Sequence, residues 1–132
     1  MNRKAPLLLA AGALFAASPA FATSTIRCTT PDRADLELFI SVANSVAAGI
    51  AQVRLVEEGR ESITGQDPGS PQLTQNWVDP LELKFDVADA NLENLIARVE
   101  ARRASDVGPY VGTLRYGERQ LRVSCLWDED EG

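Results

Sequence analysis

Two cysteines constrain this chain more than any other feature. Cys28 and Cys125 are its only cysteines, and they stand 97 positions apart. If they are joined, the first and last structured elements must lie side by side. The N-terminus argues that they are joined. Arg3 and Lys4 precede an apolar stretch from Leu7 to Ala17, and Ala20-Phe21-Ala22 fits the small-x-small pattern of a cleavage site. Residues 1–22 therefore read as a secretory signal peptide. The stretch is broken by Ser18 and Pro19 and is too short for a permanent span, and no later run has the length a membrane span needs. The expected location is periplasmic or secreted, where an even cysteine pair in a small domain is normally oxidised. No CxxC motif or histidine accompanies the pair, so the prediction is a structural bridge. In the chain-entropy model, closing a loop of this length stabilises the fold by about 4–5 kcal/mol.

Composition narrows the chemistry. The 132 residues are 45% hydrophobic with a net charge of −6, which describes a packed globule rather than a disordered or nucleic-acid-binding chain. The lack of histidine removes Ser-His, Cys-His and His-metal arrangements together. The expected organisation is a signal peptide at 1–22, one β domain at 23–127, and an acidic, flexible tail at 128–132 containing Asp128, Glu129, Asp130 and Glu131.

Along the domain, apolar and polar residues alternate in short runs divided by turn-forming clusters, the pattern of an antiparallel β protein. Leu36, Leu38, Ile40 and Val42 share one face. Val53 with Leu55, and Leu81 with Leu83, Phe85 and Val87, do the same further on. Residues 57–72, rich in Gly, Ser, Asp, Glu and Pro, read as a long surface loop. Leu73 to Val78 is expected to pair with the strand after Asp79-Pro80. Because tryptophan is usually well buried, the favoured register sets Trp77 opposite Leu81 and Leu73 opposite Phe85. Asp89 to Arg103 fits a strand or a short helix near 90–103, and its β neighbours favour the strand.

The final segment is the most specific. Gly117-Glu118 suits a type II′ turn between Val111–Tyr116 and Arg119–Leu126, and a two-residue loop fixes the register. Tyr116 then faces Arg119, Leu114 faces Leu121, Gly112 faces Val123, and Tyr110 faces Cys125. Arg115 with Gln120, Thr113 with Arg122, and Val111 with Ser124 occupy the other face. The predicted fold is a small antiparallel β-sandwich or β-barrel of about six to seven strands.

Candidate chemistry is sparse. The carboxylates at Asp86 and Asp89, Glu57 and Glu58, and Asp79 and Glu82 are the available acid–base groups, but spacing along a strand does not converge two acids on a cleft. Lys84, the one lysine after the expected cut, alternates with core residues and is expected on a strand's outer face. The acidic tail lacks the turn glycine and ligand spacing of a calcium loop, and no cofactor or metal site is expected. Arginine is concentrated in the last third at Arg98, Arg102, Arg103, Arg115, Arg119 and Arg122. Arg102, Arg103, Arg115 and Arg122 form the candidate partner patch, since guanidinium groups suit carboxylate or phosphate ligands. Cross-strand pairing of these arginines with nearby acids is the competing reading.

The plan resembles that of small exported bacterial proteins with an early cysteine and a closing Tyr-x-Gly-x-Leu…Cys hairpin, here Tyr110-Val111-Gly112-Thr113-Leu114 followed by Cys125. Periplasmic lysozyme inhibitors, also small disulfide-bearing β-barrels, are similar at the level of fold, and no inhibitory loop motif matches. The expectation is a non-enzymatic binding or inhibitor-like module for a protein or envelope ligand. A carboxylate-dependent hydrolase and a purely structural envelope protein are the alternatives.

Overall fold

The computed structural model describes residues 23–43 and 49–128. The expected signal peptide and the tail after Asp128 lie outside the described residues. The rest forms nine strands: β1 (Thr23–Thr29), β2 (Leu36–Ala43), β3 (Ile50–Glu57), β4 (Arg60–Ile63), β5 (Gln72–Val78), β6 (Glu82–Ala88), β7 (Leu95–Arg102), β8 (Tyr110–Tyr116) and β9 (Arg119–Trp127). All join one antiparallel sheet in the order β4-β3-β2-β1-β9-β8-β7-β6-β5, curled into a half-barrel.

This corrects the sequence-based expectation in three places. A single curled sheet replaces the two layers of a sandwich, and there are nine strands rather than six or seven. Near 90–103 the favoured strand, rather than the alternative short helix, is present as β7, which buries Ala97, Val99 and Ala101 while exposing Arg98, Glu100 and Arg102. The stretch at 57–72 is only partly loop. Glu58 and Gly59 take positive φ values of 51° and 82°, as a type I′ turn requires, and fold β4 back onto β3.

Every pair of adjacent strands except β1 and β9 is consecutive in sequence, so the sheet consists of two meanders, β1–β4 and β5–β9. They meet where β1 pairs with β9, and the Cys28–Cys125 disulfide links directly opposed residues at that joint. The sequence expectation for β8 and β9 holds at every pair, from Tyr110↔Cys125 to Tyr116↔Arg119. Gly117, at φ 63°, supplies the left-handed residue of the turn. Tyr110 is fully buried beside the disulfide and donates its hydroxyl to the Asp79 carbonyl at 2.7 Å.

Nine strands that alternate in direction leave the two edges, β4 and β5, pointing the same way, and no tight hairpin can join such a pair. The chain solves this with the loop from Thr64 to Pro71. Thr64 ties the end of β4 to Val53 through both its amide and its hydroxyl, each at 3.0 Å. The Gly65 amide then donates to the Pro71 carbonyl at 2.8 Å, closing the loop at its neck. Farther along, the Asn76 carboxamide on β5 accepts from the Ile50 amide on β3 at 3.3 Å, which holds the two edges of the curled sheet together.

Apolar side chains pack the concave side of the sheet. Ile26, Leu36, Leu38, Ile40, Val53, Leu83, Phe85, Val99 and Leu114 all have no exposed surface. Burying each such side chain is worth about 1.5–3 kcal/mol.

Candidate functional site

Arg98, Arg102, Arg115 and Arg122 share the outer face of β7–β9, while Arg103 lies just beyond the end of β7. Arg98 and Arg115 face each other directly across β7 and β8. Arg98 is neutralised by a two-pronged contact to the buried Asp86 carboxylate, at 2.8 and 3.0 Å. Arg122 reaches Asp32 in the β1–β2 turn at 3.0 Å. Arg102 lies 3.9 Å from Glu82. Arg103 follows the last residue of β7 and points elsewhere. Its guanidinium donates to the Pro80 and Gly108 carbonyls and lies 4.4 Å from the Tyr110 ring centroid, bracing two loops. Cross-strand and turn pairing thus accounts for Arg98, Arg102 and Arg122.

The carboxylates are similarly engaged. Asp79 accepts from the Leu81 and Glu82 amides at 2.8 and 2.7 Å, and Asp89 accepts from the Glu93 amide at 2.8 Å. Glu57 takes part in a network that joins β3, β8 and the turn between β1 and β2. Tyr116, on β8, donates its hydroxyl to Glu57 on β3 at 2.6 Å, and Arg33 donates to the same carboxylate at 3.0 Å and to Asp35 at 2.7 Å. Burial, with the Glu57 contact, pushes the Tyr116 hydroxyl up to about 12. The Tyr116 hydrogen bond and then Arg33 hold Glu57 below its ordinary value of 4.5.

These shifts give stability an acid and an alkaline limb. A depressed carboxyl stabilises above its unfolded-state pKa and loses that contribution as pH falls through the folded value; a raised phenol loses its own as pH rises through about 12. Urea melts from pH 2.5 to 12 are therefore expected to show Glu57→Gln flattening part of the fall below pH 4.5, and Tyr116→Phe flattening the fall above pH 10. Parallel wild-type and variant profiles would mean that this network contributes nothing.

Beside this network, at the seam between the sheet edges, lies a cavity of about 60 Å³ lined by Val53, Leu55, Val87 and Ile96, with Ser62, Thr64, Pro71 and Tyr116 at its border. It has room for a small apolar group, and no carboxylate lines it. Among the described residues, no three His, Cys, Asp or Glu side chains are grouped to hold a metal ion, and no helix is long and apolar enough to cross a membrane.

The larger depression lies on the outer face, a groove of about 240 Å³ formed by Glu82, Lys84, Glu100 and Arg102 with the backbone of Ala101. Register explains its composition. Lys84 faces Glu100, and Glu82 faces Arg102, across β6 and β7. Lys84 also lies 3.5 Å from Glu82, so that one carboxylate contacts both cations of the groove. Trp77 stands on β5 directly opposite Lys84. This overturns the expected register in which Trp77 faced Leu81. Asp79 and Pro80 occupy the first two positions of the turn, where aspartate and proline are favoured, so the two loop residues are Pro80 and Leu81. That offset turns Trp77 outward, 55% exposed, with its indole N–H donating to Asp79 at 2.9 Å. Val111, 57% exposed, stands on β8 opposite Arg102 on the same face.

Of the predicted patch, only Arg102 lines this groove. Trp77, Glu82, Lys84 and Glu100 were not expected to act together, and the Asp79-Pro80 turn chemistry was the signal that placed Trp77 outside. No protein-family model, curated protein or solved structure matches the chain.

Proposed function

We propose that the chain acts after export as a non-enzymatic binding module, presenting the outer face of β5–β8 to a protein or envelope ligand. The observation that carries this reading is the placement on one face of Trp77, opposite Lys84, and Val111, opposite Arg102, large apolar side chains left in solvent on the strands that flank a charged groove. Exposed apolar groups bordered by polar ones mark interaction surfaces on soluble domains. The groove on the outer face has a greater volume than the apolar cavity beside Tyr116, and the carboxylates Asp79, Asp86, Asp89 and Glu57 are each held by amides, arginine or tyrosine. The disulfide is consistent with residence in an oxidising compartment.

The test is capture from envelope fractions, soluble and insoluble, by the oxidised protein from residue 23 onward, compared with Trp77→Ala. The expected outcome is a component retained by the wild type and lost with the variant. Identical retention by both proteins would contradict the assignment of this face.

A further inference from the structure

We infer that the groove beside Trp77 binds a neutral, polyhydroxylated chain, that is, a glycan. The inference rests on the reading of this face as a binding surface and names the ligand class. Three features carry it.

The first is Trp77 itself. Its indole N–H is already committed to Asp79, so the ring is oriented and offers an incoming ligand its π-face rather than a donor. The C–H bonds on one side of a pyranose ring carry a slight positive charge and pack against the negative face of such a ring.

The second is the charge pattern of the groove. Glu82 and Glu100 supply acceptors, while Lys84 and Arg102 supply donors, so the four formal charges cancel. An anion would meet two carboxylates there, and a cation would meet an ammonium and a guanidinium. A sugar hydroxyl both donates and accepts, and finds a partner of either kind without adding a charge.

The third is layout. Protein interfaces have an apolar, charge-depleted centre and a polar rim. Here the order is inverted, with charges in the middle and Trp77 and Val111 on the strands to either side. Trp77, Lys84 and Glu100 lie in one row across three strands, a span of about 10 Å from two inter-strand spacings, suited to a disaccharide lying across the sheet.

The test is titration of the oxidised protein with neutral oligosaccharides (cellotetraose, maltotetraose and tetra-N-acetylchitotetraose), a sulfated oligosaccharide and inorganic phosphate, followed by calorimetry and tryptophan fluorescence. Saturable binding of a neutral oligosaccharide is expected, weakened at least about tenfold by Trp77→Ala and by Glu100→Ala and largely kept by Trp77→Phe. Because these side chains are exposed, the melting temperature of each variant should match the wild type, separating lost binding from lost folding. Binding that survives Trp77→Ala, preference for the sulfated probe or phosphate, or no binding to any neutral oligosaccharide would overturn the inference. If envelope capture depends on Trp77 while no oligosaccharide binds, the glycan assignment falls and the binding-module reading stands. If capture is also indifferent to Trp77, both fall.

Discussion

Replacing Cys28 and Cys125 together by alanine, or reducing the bridge, is expected to lower the melting temperature by on the order of 20 °C. The size of the effect follows from the topology. The two meanders are built from local hairpins, and the chain links them directly only through the loop at 64–71. Their hydrogen-bonded joint, β1 with β9, covers the four register pairs from Ile26↔Trp127 to Thr29↔Ser124, whereas β8 pairs with β9 over its full length. The disulfide sits within that short joint and closes a loop of 97 positions. In the chain-entropy model this constraint is worth about 4–5 kcal/mol, a large part of the stability of a domain this size. Alanine avoids leaving two serine hydroxyls buried beside Tyr110, where unsatisfied polar groups would add their own penalty. Calorimetry of the oxidised, reduced and double-alanine forms should give two coincident low transitions and one high one. A shift under about 5 °C would show that the β1–β9 pairing holds the meanders together without the covalent link.

Gly112→Ala is the second large effect expected. Gly112 lies on β8 between Ala101 on β7 and Val123 on β9. A Cβ built there would stand 2.0 Å from the Glu100 carbonyl oxygen and 2.7 Å from the Ala101 Cα. Both are backbone atoms and cannot turn aside as a side chain would. β7 and β8 would have to separate, breaking ladder hydrogen bonds near the centre of the second meander. The expected loss is about 3 kcal/mol or more, the upper end of overpacking costs. Thr113→Ala, next along the strand and exposed, provides the contrast, with a change within about 0.5 kcal/mol. Denaturant melts of the two variants settle the matter. Equal midpoints would mean that the strands have slack at Gly112.

The closing hairpin was legible in the sequence because a two-residue turn removes all freedom of register, and a one-residue slip would put Leu114 and Val123 in water. β7 was legible in the alternation of Ala97, Val99 and Ala101 with charged residues. β1 was missed because its sequence, TSTIRCT, buries only Ile26 and Cys28 as apolar side chains and so lacks an alternating signal. β4 was missed because only Ile63 among its four residues is even partly buried. The error at Trp77 has a physical lesson. The tendency of tryptophan to be buried was allowed to outweigh local turn chemistry, but the Asp79 caps on Leu81 and Glu82 and the fixed φ of Pro80 set the offset. The candidate site depended on that offset. Glu82, Lys84, Glu100 and Arg102 are ordinary surface residues in sequence and become a groove only once β6 and β7 are registered. Arg102 and Arg103 were grouped by adjacency, although β7 ends at Arg102 and the Arg103 guanidinium turns to the Pro80 and Gly108 carbonyls.

The covalent joint between the first and last strands is tested most directly by mass spectrometry of the protein isolated from its native host and digested with trypsin without reduction. The expected species is the peptide Cys28–Arg33 joined through its cysteine to the peptide that begins at Val123. Recovery of the two peptides separately, each with an alkylatable thiol, would contradict the account.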